Sequence, residues 1–156
     1  ERWQNEAGFF AGAGLGFLGK ALTGNTMSTV ALRVTMQEVM IPEVFNPMLE
    51  KAKFVDDGMR AIFEKYRAPF RSEMMGNRLC FHFIPDKCED PLTGITQIGF
   101  GGLFEFAHAY MWYHGLLIMP FFNMVLVCPQ HTQEDLDKYL QVFDDMIAII
   151  MGQKEG

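Results

Sequence analysis

Positive charge is what this chain has least to spare. Thirteen Lys and Arg stand against nineteen Asp and Glu, a net charge of -6, and the basic residues are scattered along the sequence. A surface that neutralises phosphates gathers Lys and Arg on one face, so nucleic acid is excluded as a partner. Cysteine is scarcer still. Cys80, Cys88 and Cys128 cannot all pair internally, and their spacing matches no zinc or thioredoxin-type pattern, which points to a reducing compartment, the cytoplasm. A membrane-length apolar run is missing too. Residues 7–19 are uncharged but number thirteen and include five glycines, short of the roughly 20 apolar residues that cross a bilayer. They also lack the basic leader and small-residue cleavage site of an export signal, so no membrane association is expected. The chain starts at Glu1, which points to a processed or partial polypeptide.

What is present suits one globular domain. Of 156 residues, 49% are hydrophobic and 21% charged, enough to bury a core and too apolar for disorder. Gly8, Gly12, Gly14, Gly16 and Gly19 predict a loop or irregular turn at the start. Gly12-x-Gly14-x-Gly16 superficially matches a nucleotide loop, yet no strand precedes it and no acidic residue follows at the required distance.

Helical periodicity begins at Thr26. Met27, Val30, Ala31 and Val34 share a face, Asn25 or Thr26 can cap the start, and Pro42 is expected to end the helix. A second helix is predicted from about Glu43, with Pro47 in its first turn and Ala68-Pro69 as its stop. Its apolar positions are Val44, Met48, Ala52, Val55, Met59, Ile62, Phe63 and Tyr66. Residues 78–84 then read as a strand preceded by a Gly76-Asn77 turn, and residues 86–102 as a loop. Residues 103–114 form a third helix closed by Gly115, and residues 116–119 a short strand. The last helix carries Leu136, Tyr139, Leu140, Phe143, Met146, Ile147 and Ile150 as a stripe. Thr132 and Asp135 stand at capping-box spacing before it. The order of elements predicts an α+β domain, helices packed on a small, mostly antiparallel sheet.

This arrangement resembles the C-terminal part of class III aminotransferases, in the glutamate-1-semialdehyde aminomutase-like branch. Ala21-Leu22-Thr23-Gly24-Asn25-Thr26 stands where members carry a Thr-Leu-Ser-Gly-Asn-Pro-like turn into a long helix. Residues 104–115, 116–120 and 131–135 follow in the family's order, as a Phe-rich helix ending in Gly, a Pro-containing strand and a His-Thr-x-Glu-Asp cap. The similarity runs from about Ala21 to Met151.

The resemblance implies pyridoxal 5'-phosphate as cofactor and the C-terminal small domain of the fold-type I transferase fold, working in a homodimer on a small-molecule amine or amino acid. The cofactor's aldehyde condenses with a lysine and then with the substrate amine, and its ring takes up electrons when a substrate C–H bond breaks. Lysine and pyridine-nitrogen acid both lie upstream of the turn in the family, in a large domain. Lys20 is only five residues before Asn25, so no catalytic residue is assigned here. Residues 1–25 become a Gly-rich segment and active-site-bordering turn left from that large domain, and residues 26–156 the small domain. Ala21, Leu22 and Thr23 are the implied cofactor contacts, and Asn25, Phe121, Phe122 and Asn123 the implied substrate contacts. Ala21 replaces the threonine that in the family reaches the cofactor phosphate of the neighbouring subunit. Its backbone N–H and the Thr23 hydroxyl are the donors that remain. No arginine follows Pro120 to clasp a second carboxylate, and Phe121-Phe122 favours a bulky or aromatic substrate.

Blander readings stand beside these. Aromatic pairs such as Phe121-Phe122 are commonly packing. His108 and His114 are six apart, off the spacing that puts two metal ligands on one helical face, and no metal is assigned. His82 reads as a surface or satisfied core residue, and His131 as serving the loop before the last helix. Two other classes remain open: a non-catalytic small-domain interaction module, and an unrelated α+β binding domain.

Overall fold

The computed structural model describes residues 24–85, 102–119 and 123–153, and the chain divides into two compact units at Ile41/Pro42. In the first, Asn25 caps helix α1 (Thr26–Val34): its backbone is extended and its side-chain Oδ1 accepts the Ser28 N–H at 2.8 Å. The single helix expected up to Pro42 instead changes pitch. Thr35–Val39 is a π-helical turn, closed by Met40 N–H donating to the Thr35 carbonyl. The change falls where the Ala31 carbonyl receives both the N–H and the hydroxyl of Thr35, a side-chain competition that distorts helices. Residues 24–40 are all exposed, Met27 at 82% and Leu32 at 61%.

The second unit begins with helix α2 (Pro42–Tyr66). Pro42 is its first residue, where the absent N–H costs nothing. Pro47 therefore lies in the second turn rather than the first. There it forgoes one bond to the Glu43 carbonyl, and nineteen further residues continue the helix to Tyr66. The helix stops in a Schellman motif: Ala68 N–H reaches the Phe63 carbonyl and Arg67 N–H that of Glu64, with Arg67 at φ 51° in the position glycine usually takes. Two later helices, α3 (Leu103–Tyr113) and α4 (Gln133–Ile150), close with the same paired bonds around Gly115 and Gly152.

Strands β1 (Arg71–Met75), β2 (Arg78–His82) and β3 (Met124–Leu126) form an antiparallel sheet in that order. The sequence reading misses β1. Arg-Ser-Glu-Met-Met is too polar for a strand pattern and is tolerated because β1 is an edge strand. Gly76-Asn77 is the two-residue turn of a β1–β2 hairpin, with Met75 opposite Arg78 and Gly76 at φ +63°. The strand expected at residues 116–119 shrinks to a single bridge, Met119 to Met124, and the ladder with β2 belongs to residues 124–126. Asn77 selects that register: its side-chain amide donates to the Val127 carbonyl at 2.8 Å, and its own carbonyl accepts the Val127 N–H. Of the expected loop, residues 86–101 lie outside the described residues, and Gly102 is the N-cap of α3.

The core lies between one face of the sheet and α2 and α4, with α3 packed on α4. Phe63, Phe70, Phe81, Phe83, Phe143 and Tyr139 form a continuous ring cluster, mostly edge-to-face at centroid distances of 5.1 to 6.0 Å. Such pairs each add about 0.5–1.5 kcal/mol beyond their burial. The predicted stripe of α4 is the one that packs, with Leu140 and Ile150 at its half-buried margins. Gly58 marks the α2–α4 crossing, where an added Cβ would come within 2.5 Å of Leu140.

Candidate functional site

Five of the seven expected site residues, Ala21, Leu22, Thr23, Phe121 and Phe122, lie outside the described residues. Of the other two, Asn25 holds the entry to α1, following Gly24 at φ +79°. No acidic residue stands in that first turn, so nothing there opposes an anion near the helix start.

Asn123 is only 2% exposed and left-handed, at φ 47°. Its Nδ2 donates to the Phe81 carbonyl at 3.3 Å, and its carbonyl accepts the Phe81 N–H. With the amide so oriented, Oδ1 faces His108 Nε2 at 3.1 Å, and the imidazole must donate there. Asn123 thus ties the strand-leading loop to both the central strand and α3. Burial lowers the His108 pKa, and the Asn123 bond partly offsets it.

A cleft of about 690 Å3 opens beside Met119 and Met124. Trp112, Leu117 and Leu126 give it an apolar wall, and His131, Asp135 and Lys138 form its polar side. His131 does serve its loop, as expected. Its Nδ1 accepts the Cys128 N–H at 3.2 Å, while Lys51 of α2 clamps the Pro129 and His131 carbonyls at 2.8 and 2.7 Å. Thr132 and Asp135 then form the capping box. The two hydrogen bonds from Thr132 hold the Asp135 carboxyl below its usual range.

The other face of the sheet carries charge that the sequence reading left unassigned. Arg71 pairs with Glu73 on β1, and His82, opposite Arg71, has Nε2 3.9 Å from Glu73. Burial, then the Arg71 charge, lowers the His82 pKa against the pull of Glu73. Burial and Glu73 raise that of the Cys80 thiol. The period-two charge in Arg71-Ser72-Glu73 was the available signal. Among the described residues no three His, Cys, Asp or Glu are grouped to hold a metal, and no helix is long and apolar enough to cross a membrane.

Helices on one face of a three-stranded antiparallel sheet, followed by a capped C-terminal helix, define the small domain of a fold-type I pyridoxal-phosphate-dependent transferase. The chain aligns with a glutamate-1-semialdehyde-aminomutase from Pseudomonas aeruginosa PAO1, solved in complex with PMP. The TM-score is 0.75 at 29% identity, covering 83% of this chain and 28% of that one. Glutamate-1-semialdehyde 2,1-aminomutase of Ruminiclostridium cellulolyticum is 25% identical over 131 residues, which are 81% of this chain and 29% of that enzyme. A β-phenylalanine aminotransferase from Variovorax paradoxus shares the fold, with TM-score 0.69 at 14% identity, covering 83% of this chain and 30% of its own. No protein-family model matches the chain. The chain is similar to the C-terminal part of class III aminotransferases, glutamate-1-semialdehyde aminomutases among them. It spans less than a third of the length of these relatives.

Proposed function

We propose that this chain is the C-terminal portion of a pyridoxal-phosphate-dependent aminomutase or aminotransferase acting on an amine or amino acid, with a bulky or aromatic substrate favoured. The observation that carries the reading is the match to an aminomutase at TM-score 0.75 and 29% identity across 83% of the chain. Pyridoxal phosphate supplies an electron sink for the substrate's reacting carbon. The catalytic lysine belongs to a large domain outside this chain, in a cytoplasmic homodimer. Residues 1–25 are the turn bordering the active site and residues 26–156 the small domain.

The described residues fit that cofactor at one place. Gly24 turns the backbone into a helix start whose first turn carries no acidic residue, a polarity suited to a phosphate held by Ala21, Leu22 and Thr23. Asn25 fixes that turn through its cap bond. At the other end of the chain, Asn123 fixes the backbone directly after Phe121 and Phe122, the residues proposed to meet the substrate. The apolar wall of Trp112, Leu117 and Leu126 agrees with a bulky substrate group.

The experiment is an absorbance spectrum of the purified protein with its accompanying polypeptide, before and after borohydride, with peptide mapping. A bleached visible band and a pyridoxyl-lysine peptide outside residues 1–156 are expected. A preparation that binds no pyridoxal phosphate and yields no such peptide would leave the chain as a non-catalytic interaction module.

A further inference from the structure

We propose that helix α1 is an interaction surface, seated in an apolar cleft of the large domain that accompanies this chain. The partner comes from the functional reading above, on which this inference rests. Between residues 24 and 40 only Arg33 and Glu38 are charged, yet every residue is exposed. The large apolar side chains divide over two sides of the helix. Met27, Val30 and Val34 follow helical spacing along one, at 82, 45 and 41% exposure. Leu32, Met36 and Met40, four apart, run along the other, at 61, 53 and 46%. The π turn keeps that second row straight: its wider pitch, with the Met40 N–H reaching back five residues to the Thr35 carbonyl, holds positions four apart in line. A single stripe would suit a helix lying on one surface. Apolar residues on both sides suit a helix enclosed in a cleft, with the strip of Arg33 and Gln37 left to water.

The polar groups of α1 are already prepared for that burial. Thr29 Oγ1 donates to the Asn25 carbonyl at 3.0 Å and Thr35 Oγ1 to the Ala31 carbonyl at 2.9 Å, so neither hydroxyl enters an apolar contact unpaired. Length points the same way. Nine α-helical residues are fewer than the roughly 12–15 that an isolated helix needs in water, so α1 draws its stability from a cover. Three methionines and scarce charge are also the composition of an interface core. The occupant follows from position. α1 leads straight out of residues 21–25, the turn assigned above to the border of the cofactor site, and the chain spans less than a third of its relatives' length. The polypeptide bordering that turn is then the large domain itself.

The test uses the purified protein with its accompanying polypeptide. A photoreactive phenylalanine analogue is incorporated in place of Met27 or of Leu32, one on each side of the helix, and its crosslinks are mapped by mass spectrometry. Both positions should crosslink to peptides outside residues 1–156. Crosslinks confined to residues 1–156, whether from a second copy or from residues 42–156, would overturn the proposal, and so would crosslinks from one side alone. Met27→Gln and Leu32→Gln keep helix propensity and should each weaken association with the accompanying polypeptide about tenfold. Leu32→Met should stay within about twofold of the wild type, as should Arg33→Gln on the strip left to water. Unchanged association in both Met27→Gln and Leu32→Gln, or an equal loss in Arg33→Gln, would contradict the seating described. These positions are exposed, so the variants should keep the unfolding midpoint of residues 42–156. A pyridoxyl-lysine peptide found without crosslinks from α1 removes this inference and leaves the enzymatic reading standing. Crosslinks to a polypeptide that carries no such lysine keep the docking surface and remove the enzymatic reading.

Discussion

Residues 24–40 and residues 133–150 both begin with a side-chain-capped helix, and they end in opposite circumstances. Asn25 and Thr132 each accept a backbone N–H from three residues ahead, and apolar residues recur at helical spacing after both. Yet α4 buries Leu136, Tyr139, Phe143, Met146 and Ile147 in the core, whereas every residue from 24 to 40 is exposed. Periodicity and capping establish that a helix forms. They are silent on what the apolar face meets, because burial needs a second surface.

The sharpest way to break this contrast is to truncate the centre of the packed helix. Phe143→Ala removes a ring that contacts Phe63, Phe81 and Tyr139 and is 0% exposed. It should cost about 3–5 kcal/mol in chemical denaturation, and a loss below about 1 kcal/mol would contradict the packing described.

Asn123→Ala comes next. It leaves His108 Nε2 and the Phe81 carbonyl without their partner and puts alanine at φ 47°. A loss of roughly 2–3 kcal/mol is expected by the same measurement.

The two caps make a matched pair. Thr132→Ala should lower the stability of the packed unit by about 1 kcal/mol. Asn25→Ala should reduce helical signal from residues 26–40 and leave the main unfolding midpoint in place. Equal midpoint losses from the two would show that the first helix is as firmly packed as the last.

Acid offers a smaller effect. His82 and His108 both have pKa values lowered on folding, largely by burial. The unfolded chain then binds protons more readily, so stability is intact above the ordinary histidine pKa of 6.5 and declines as pH falls below it. His82→Gln should flatten that decline in denaturant midpoints measured between about pH 7.5 and 5.5. An unaltered slope would mean that His82 does not carry the acid sensitivity.

The smallest expected change is Leu32→Ala, which at 61% exposure should shift stability by no more than about 0.5 kcal/mol. A larger loss in the protein with its accompanying polypeptide would identify α1 as a covered surface there.

Much of the fold is legible in the residues because local chemistry dictates it. The capping box at Thr132 and Asp135, the Gly115 stop, the Gly76-Asn77 turn and the α4 stripe are all set by neighbours within four positions. Where that locality fails, the reading fails with it. Strand β1 is polar, and only the partner β2 makes Arg-Ser-Glu-Met-Met a strand. The third strand moves from residues 116–119 to 124–126 because Asn77, fifty residues away in sequence, holds the Val127 backbone. Site residues divide the same way. Asn25 is recognisable as a cap, while Asn123 shows its ties to His108 and Phe81 only once three elements meet.

The sequence by itself determined the helices, their caps and stops, the α+β class and the family resemblance, since each rests on short-range hydrogen bonding or on the order of motifs. Only the tertiary structure decided which strands pair, which apolar stripe is buried, and which charges gather over the β1–β2 hairpin. Those outcomes depend on groups brought together from distant positions, whose energies exist only after the chain has closed around them.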